Sequence, residues 1–327
     1  MGGPAGQARL EASTAAVVGV GATGGAIAEA LVRAGVGRVR LIDRDVVELS
    51  NLHRQVLFDE ADAAAGLPKA EAARARLERV NRAVALEAVV ADLGPDAAAA
   101  LLAGADLVLD GTDNFATRFV INDACLAAGV PWVYAGVVGT TVHGFPVVPG
   151  RTACFRCYQE AVPPPGALET CETAGVLGPA VLIAAGFAAT EGLKLLLGGP
   201  PAEGLLVVDA WTREARRIAL PRDPACPACL GRYEHLAAPA SKEPLVLCGR
   251  AAVMVPSPGR TAPDLQLLAA RLEGHGRLEA RGRHLLRFVP RGSEAHALTL
   301  FADGRAIVAG TTDPALARSL YARWVGA

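Results

Sequence analysis

The stretch Ala15-Ala-Val-Val-Gly19-Val-Gly21-Ala22-Thr-Gly24-Gly decides the fold. Its apolar opening reads as a buried strand, and the alanine-rich segment from about Gly25 to Ala34 reads as a helix. Gly35-Val-Gly37 closes that helix, and Arg38-Val-Arg-Leu-Ile-Asp43 is the next strand. A strand, a crossover helix and a second strand imply a parallel sheet with helices on its faces. A Gly-x-Gly-x-x-Gly loop between strand and helix lets backbone N–H groups approach a phosphate at the helix N-terminus. Asp43 ends the second strand, where a carboxylate can bond ribose hydroxyls. These features alone fit a nicotinamide or flavin enzyme equally well.

Outward from this unit the alternation continues. A charged helical pattern covers 68–82, strand-like runs cover 85–90 and 106–110, a short helix covers 97–102, and a helix runs from Asn114 to Ala128 before Pro131-Trp-Val-Tyr134 resumes the sheet. The expected class is therefore α/β, doubly wound and Rossmann-like, with a mainly parallel sheet. From about Val137 the pattern turns to β hairpins, and Gly178 to Leu197 is a long apolar helix, either central or at a subunit interface. Strands are expected at 205–210 and 215–220. Ala237-Ala-Pro-Ala-Ser-Lys-Glu-Pro244 reads as a linker, which divides the chain into domains 1–238 and 239–327. The second is a small α+β appendage with helices at 263–272 and 314–324 and strands at 276–280, 284–289, 297–301 and 306–309.

The chain has 327 residues, 52% hydrophobic and 20% charged, with a mean hydropathy of +0.31, enough apolar content for a substantial core. A net charge of −1 argues against nucleic acid as the main partner. The longest apolar stretches are broken by Asp, Gly or Arg, so no membrane span is expected. The N-terminus lacks a basic segment followed by an apolar core, so no export signal is expected. Seven Cys, including two C-x-x-C pairs, then point to metal or thiol chemistry in a reducing cytoplasm.

Asp43-Arg-Asp45-Val-Val-Glu-Leu-Ser50-Asn51-Leu-His-Arg54-Gln55 gathers carboxylates, amides and a guanidinium behind the ribose position, and Lys69 follows at a helix start. Cleaving a triphosphate needs cations at the leaving pyrophosphate, which Arg54 and Lys69 suit; a dinucleotide site has less need of them. Asp113 follows a buried strand at the carboxyl edge of the sheet, where it is suited to hold Mg²⁺ and equally suited to cap the next helix. Cys154-Phe-Arg-Cys157 and Cys226-Pro-Ala-Cys229 suit a closed, structural Zn²⁺ site that staples distant loops. Cys171, after Pro163-Pro-Pro-Gly166, has the setting of an accessible thiol nucleophile or of an inert one. Cys125 reads as core, and Cys248 has no evident partner.

From Val17 to about Tyr233 the sequence resembles the ThiF/MoeB/HesA adenylyltransferases, prokaryotic relatives of the ubiquitin-activating enzymes. The matching motifs are the Gly19–Gly24 loop, Asp43-x-Asp45, Leu49-Ser-Asn-Leu-x-Arg-Gln55, Pro68-Lys69, Thr112-Asp-Asn114, both Cys pairs and Thr170-Cys-Glu-Thr-Ala-Gly-Val-Leu-Gly-Pro179. The resemblance implies that Gly19, Gly21, Ala22 and Gly24 line ATP, that Asp43 binds its ribose, and that Ser50, Asn51, Arg54 and Lys69 contact its phosphates. It further implies that Asp113 holds Mg²⁺ beside Asn114, and that Cys171 takes part in sulfur transfer in ThiF-type members. The implied reaction adenylylates the C-terminal Gly-Gly carboxylate of a small ubiquitin-like sulfur carrier, for thiamine or molybdopterin synthesis. A sulfurtransferase or cysteine desulfurase is the implied sulfur donor, and a homodimer the implied assembly.

Two departures accompany the resemblance. Family members usually begin with a helix bearing an Arg-Tyr-x-Arg-Gln motif, of which only the final region, Gly6-Gln-Ala-Arg-Leu-Glu-Ala-Ser13, is present. Either a later start or a substitute cation is expected. The C-terminal appendage has no rhodanese-type Cys loop and is expected to dock the carrier or the sulfur donor. The competing expectations are a tRNA-modifying ATPase of the same superfamily, a Rossmann oxidoreductase, and a non-catalytic scaffold.

Overall fold

A computed structural model describes residues 2–164, 174–239, 243–247, 251–257 and 263–326. These fall into two compact units, Met1–Pro239 and Ala240–Ala327.

The first unit opens with α1 (Gly3–Glu11), which sequence patterning did not mark. Its Gln7 Nε2 donates to the Ala34 carbonyl at 3.3 Å. There follow β1 (Thr14–Val18), α2 (Ala22–Ala34), β2 (Arg38–Asp43), α3 (Glu60–Ala64), α4 (Lys69–Leu77), β3 (Ala85–Val90), α5 (Pro95–Leu101), β4 (Leu107–Asp110) and α6 (Phe115–Ala128). Then come β5 (Trp132–Val138), β6 (Thr141–Val147), α7 (Phe155–Tyr158), α8 (Gly178–Leu196), β7 (Leu205–Asp209), β8 (Glu214–Ile218) and α9 (Glu234–Ala237). The α9 helix ends at Ala237, the first residue of the segment expected to be linker.

One eight-stranded sheet runs β3-β2-β1-β4-β5-β6-β7-β8. Its β1–β5 half is parallel and the remaining pairs are antiparallel, so the β-rich second half continues the same sheet. The sequence pattern ended β5 at Tyr134, but the strand runs to Val138 because β6 pairs with it from Trp132↔Val147 to Val138↔Thr141. That extension depends on a partner strand, which local pattern does not reveal.

Both faces of the sheet are covered over its central strands, which is why β1, β4 and β5 are apolar without alternation, whereas all five residues of the edge strand β8 are exposed. On one face α2, α4 and α8 pack through Ile27, Leu31, Leu77, Ala184 and Ala188; on the other, α5 and α6 pack through Ala98, Phe119 and Ile121. The α8 helix is long and apolar enough to cross a membrane by length and composition, contrary to the expectation from sequence. Half of that window is buried, and the helix packs on α2, β4, β5 and β6 as a core element, with Leu182 and Ile183 on its exposed side.

The second unit is a six-stranded antiparallel sheet of order β11-β12-β13-β14-β10-β9, with helices α10 (Leu265–Leu272) and α11 (Pro314–Trp324). Its strands are β9 (Leu245–Leu247), β10 (Ala252–Val255), β11 (Gly276–Arg281), β12 (Leu285–Pro290), β13 (Ala297–Phe301) and β14 (Ala306–Ala309). Sequence reading found the last four strands and missed β9 and β10, although β10 lies inside the sheet and all four of its residues are buried. Asp264 and Asp313 cap α10 and α11 by accepting hydrogen bonds from the first-turn N–H groups. Leu286, Phe288, Leu298, Leu300 and Tyr321 form the core of this unit.

Candidate nucleotide site and cysteine cluster

The sheet order places β1 between β2 and β4, so the chain leaves β1 and β4 in opposite directions and opens a crevice at their carboxyl ends. The glycine loop lies at that crevice. Gly19 has φ +79°, and a Cβ on Gly24 would fall 1.7 Å from the Gly19 carbonyl oxygen. A Cβ on Gly111, in the turn after β4, would lie 2.3 Å from the same oxygen and 2.5 Å from Gly24 Cα. Backbone therefore meets backbone where the loops after β1 and β4 cross, and side chains are excluded. Gly21 caps α2, leaving the first-turn N–H groups of a thirteen-residue helix at the crevice with its positive dipole end.

Three segments converge on this loop. In the first, the Asp43 carboxylate accepts from Val20 N at 2.6 Å and from Asp45 N at 2.7 Å, bracing the loop against the end of β2. Lys69, only 4% exposed, lies 3.3 Å from Asp45 Oδ2. Burial pushes the Asp43 carboxyl up, against the pull of Lys69 and the two backbone donors.

The second segment is 48–55. Gln55 Nε2 lies 3.5 Å from the Cβ position of Gly21, and Asn51 and Gln55 are both buried. Asn51 Oδ1 and Gln55 Oε1 find no hydrogen-bond partner among the described residues. Ser50 is exposed, and the half-buried Arg54 donates from Nη1 to the Ser50 carbonyl at 3.3 Å.

The third is the turn Asp110–Asn114. Here Asn114 caps α6, accepting from Thr117 N at 2.9 Å, so the capping role weighed for Asp113 falls to its neighbour. Asp113 is left exposed, its carboxylate free of hydrogen bonds to described residues, with Arg44 and Arg118 acting on it electrostatically. The structure thus gathers Gly19, Gly21, Ala22, Gly24, Asp43 and Lys69 directly, and brings Asn51, Arg54, Asp113 and Asn114 in on adjoining loops. Cys171 lies outside the described residues, as does Cys248.

Residues that sequence reading did not single out also enter the site. Arg44 forms an ion pair with Asp92 at 3.1 Å; burial works against its charge, but Asp92, Asp45 and Asp113 outweigh burial and raise its pKa. The Asp110–Arg118 pair stands behind the third segment. The position of Arg44 inside Asp43-x-Asp45 was the available signal for it. Arg118 gave none beyond its place on a helix.

Far along the chain, Cys154, Cys157, Cys226 and Cys229 come together, with Sγ atoms all within 4.8 Å of one another. Neighbouring sulfurs are 3.6 Å apart for Cys154–Cys226 and Cys157–Cys229, and 3.8 Å for Cys154–Cys157. Zn–S bonds of about 2.3 Å set tetrahedral sulfurs about 3.8 Å apart, so the donor set fits that ion. Burial pushes the Cys157 thiol up to about 11, a cost that a bound dication removes by holding the thiolate. Asn122 on α6 accepts from Phe155 N at 2.9 Å and Asp123 accepts from His235 N at 2.9 Å, fixing the flanking turns from below. Cys125 is fully buried in the α6-side core, where burial raises its thiol pKa strongly.

With this glycine loop, polar surround and cysteine cluster on one fold, the chain belongs to the ThiF family, whose profile matches residues 1–228. The sulfur carrier protein ThiS adenylyltransferase of Bacillus subtilis is 40% identical over 99% of this chain and 96% of that protein. The molybdopterin-synthase adenylyltransferase of Escherichia coli is 41% identical over 68% of this chain and 90% of that protein. Among solved structures, E. coli MccB with succinimide matches with a TM-score of 0.61 over 68% of each chain; at 23% identity that likeness concerns the fold alone.

Proposed function

We propose that this chain uses ATP to adenylylate the C-terminal Gly-Gly carboxylate of a small ubiquitin-like sulfur carrier. The observation that carries this reading is the convergence of three segments, bearing Lys69, Arg54 and Asp113, on a glycine loop at a helix N-terminus. The α2 N–H groups bind phosphate oxygens and Asp43 faces the ribose. Lys69 and Arg54 offset the charge that grows on the leaving pyrophosphate. The carrier carboxylate oxygen attacks the α-phosphorus, the bond to the β-phosphate bridging oxygen breaks, and pyrophosphate leaves an acyl-adenylate. Asp113, an exposed carboxylate with no hydrogen bond to a described residue, suits Mg²⁺, which when bound neutralises triphosphate oxygens. Cys154, Cys157, Cys226 and Cys229, as thiolates, would hold Zn²⁺, which would serve as a structural staple between the two loops.

The persulfide sulfur of a sulfurtransferase or cysteine desulfurase then attacks the adenylated carbonyl carbon and AMP leaves. A second thiol cleaves the resulting acyl disulfide, releasing the thiocarboxylate as a disulfide forms between that thiol and the donor sulfur. The alignment with the B. subtilis relative extends through both units, which supports a thiamine-type carrier over a molybdopterin-type one. Leu182 and Ile183, exposed on α8, support a homodimer.

The test is ATP–pyrophosphate exchange with purified Gly-Gly-ended carriers and with the same carriers lacking the last glycine. Exchange is expected only with the intact tail. No carrier-stimulated exchange with ThiS-like or MoaD-like proteins would refute the assignment.

A further inference from the structure

We infer that the buried Asp110–Arg118 pair is a positioning device for Asp113, fixing where that carboxylate stands relative to the triphosphate. This rests on the proposed role of Asp113 as the Mg²⁺-holding residue.

Asp110 is 0% exposed and Arg118 7%. Arg118 Nε donates to Asp110 Oδ2 at 2.9 Å, and Nη2 donates to the Thr112 carbonyl at 2.5 Å. The other Asp110 oxygen accepts from Thr112 N at 2.8 Å and from Thr112 Oγ1 at 2.6 Å. Thr112 is thus held at its N–H, its hydroxyl and its carbonyl. The peptide unit joining Thr112 to Asp113 has its orientation set by the guanidinium. On the other side, Asn114 is fixed by its cap on α6. Asp113 therefore stands between two pinned residues, while its own side chain is exposed.

The guanidinium is itself held, 5.1 Å from the Tyr134 ring centroid and 5.6 Å from that of Phe115. A planar donor fork can bridge a carboxylate and a carbonyl at once, which an ammonium cannot do in the same plane. A buried ion pair adds little net stability over a well-packed apolar pair, but it sets direction in a way that apolar packing does not. The direction set here is that of the turn carrying Asp113.

The test uses the full chain and takes two readouts. One is Mn²⁺ binding to the chain with a non-cleavable α,β-methylene ATP analogue, followed by electron paramagnetic resonance and expected to weaken in the double variant. The other is the Mg²⁺ dependence of ATP–pyrophosphate exchange with a Gly-Gly-ended carrier. Arg118→Lys keeps the charge and loses the fork. The double variant Asp110→Asn with Arg118→Met removes both buried charges together, which guards the fold, and leaves an oxygen for Thr112. The expected result for the double variant is kcat lower by at least about tenfold and Mg²⁺ half-saturation raised by about fivefold, with carrier KM within about twofold, because the misplaced group is catalytic and not carrier-binding. Arg118→Lys should recover part of both losses. If either variant is folded by near-UV circular dichroism and shows the wild-type Mg²⁺ half-saturation, the pair is only structural and the inference is overturned. Asp113→Asn run alongside separates the two levels. An active wild type whose Mg²⁺ requirement is unmoved by Asp113→Asn overturns the role of Asp113, and the positioning role with it. A wild type with no carrier-dependent exchange overturns the proposed function itself.

Discussion

Replacing Gly24 by alanine tests the backbone-on-backbone junction that forms the nucleotide loop. The added Cβ would sit 1.7 Å from the Gly19 carbonyl oxygen and 2.9 Å from its carbon. A comfortable C···O contact is about 3.3 Å, so the loop and α2 must part by about 1.6 Å. Gly24 lies in the first turn of α2, and that helix is packed on the sheet through Ile27 and Leu31, both 0% exposed, so it cannot retreat alone. Overpacking of this kind costs about 1–3 kcal/mol, and a rigid backbone on both sides argues for the upper end. At roughly 2–4 °C per kcal/mol for a unit of this size, the melting temperature should fall by about 6–12 °C. Displacement of the phosphate cradle by more than about 1 Å should lower carrier-dependent exchange by about 10²-fold. Gly21→Ala is the internal control. Its φ is −77° and the nearest atom to its Cβ is Gln55 Nε2 at 3.5 Å, an ordinary contact. Its stability should stay within about 0.5 kcal/mol of wild type, while its KM for ATP rises because the methyl intrudes beside the phosphate-facing N–H groups. Thermal melting by near-UV circular dichroism and exchange kinetics read the two effects apart. A Gly24→Ala chain that melts with the wild type, or a Gly21→Ala chain equally destabilised, would refute the reasoning.

The two candidate cations should separate in the same assays. Arg54→Ala is expected to lower exchange by about 10²-fold with little change in melting, because Arg54 is half-buried and, among the described residues, bonds only within its own segment. Lys69→Ala should cost a similar rate factor and about 1–3 kcal/mol of stability as well, since a 4%-exposed lysine leaves the Asp45 carboxylate short of a partner. Metal analysis of the purified chain should find about one zinc per chain; Cys226→Ser, at a 1%-exposed ligand, should lose it and lower the melting temperature. Burial holds the His143 imidazole below its ordinary pKa, so the unfolded chain binds the extra proton first as pH falls. Stability should therefore decline below about pH 6.5, and His143→Gln should flatten part of that decline in melting curves between about pH 7.5 and about pH 5.5.

The sequence by itself determined the βαβ opening, because a continuous apolar strand, a glycine loop and an alanine-rich helix are each specified within a few residues. It also determined the ligand chemistry, since Cys154, Cys157, Cys226 and Cys229 carry their donor type in the residue itself. The tertiary structure alone decided how far β5 extends, because its last residues depend on pairing with β6. It decided that Asn114 and not Asp113 caps α6, a choice between adjacent residues made by backbone geometry after the β4 turn. It placed β10 inside the second sheet, where burial comes from neighbours distant in the chain. It also revealed that Arg118, one residue among many on a helix, reaches back to grip the turn bearing Asp113. Residue type and short spacing are local properties, whereas hydrogen-bond partnership and burial arise only when distant segments meet.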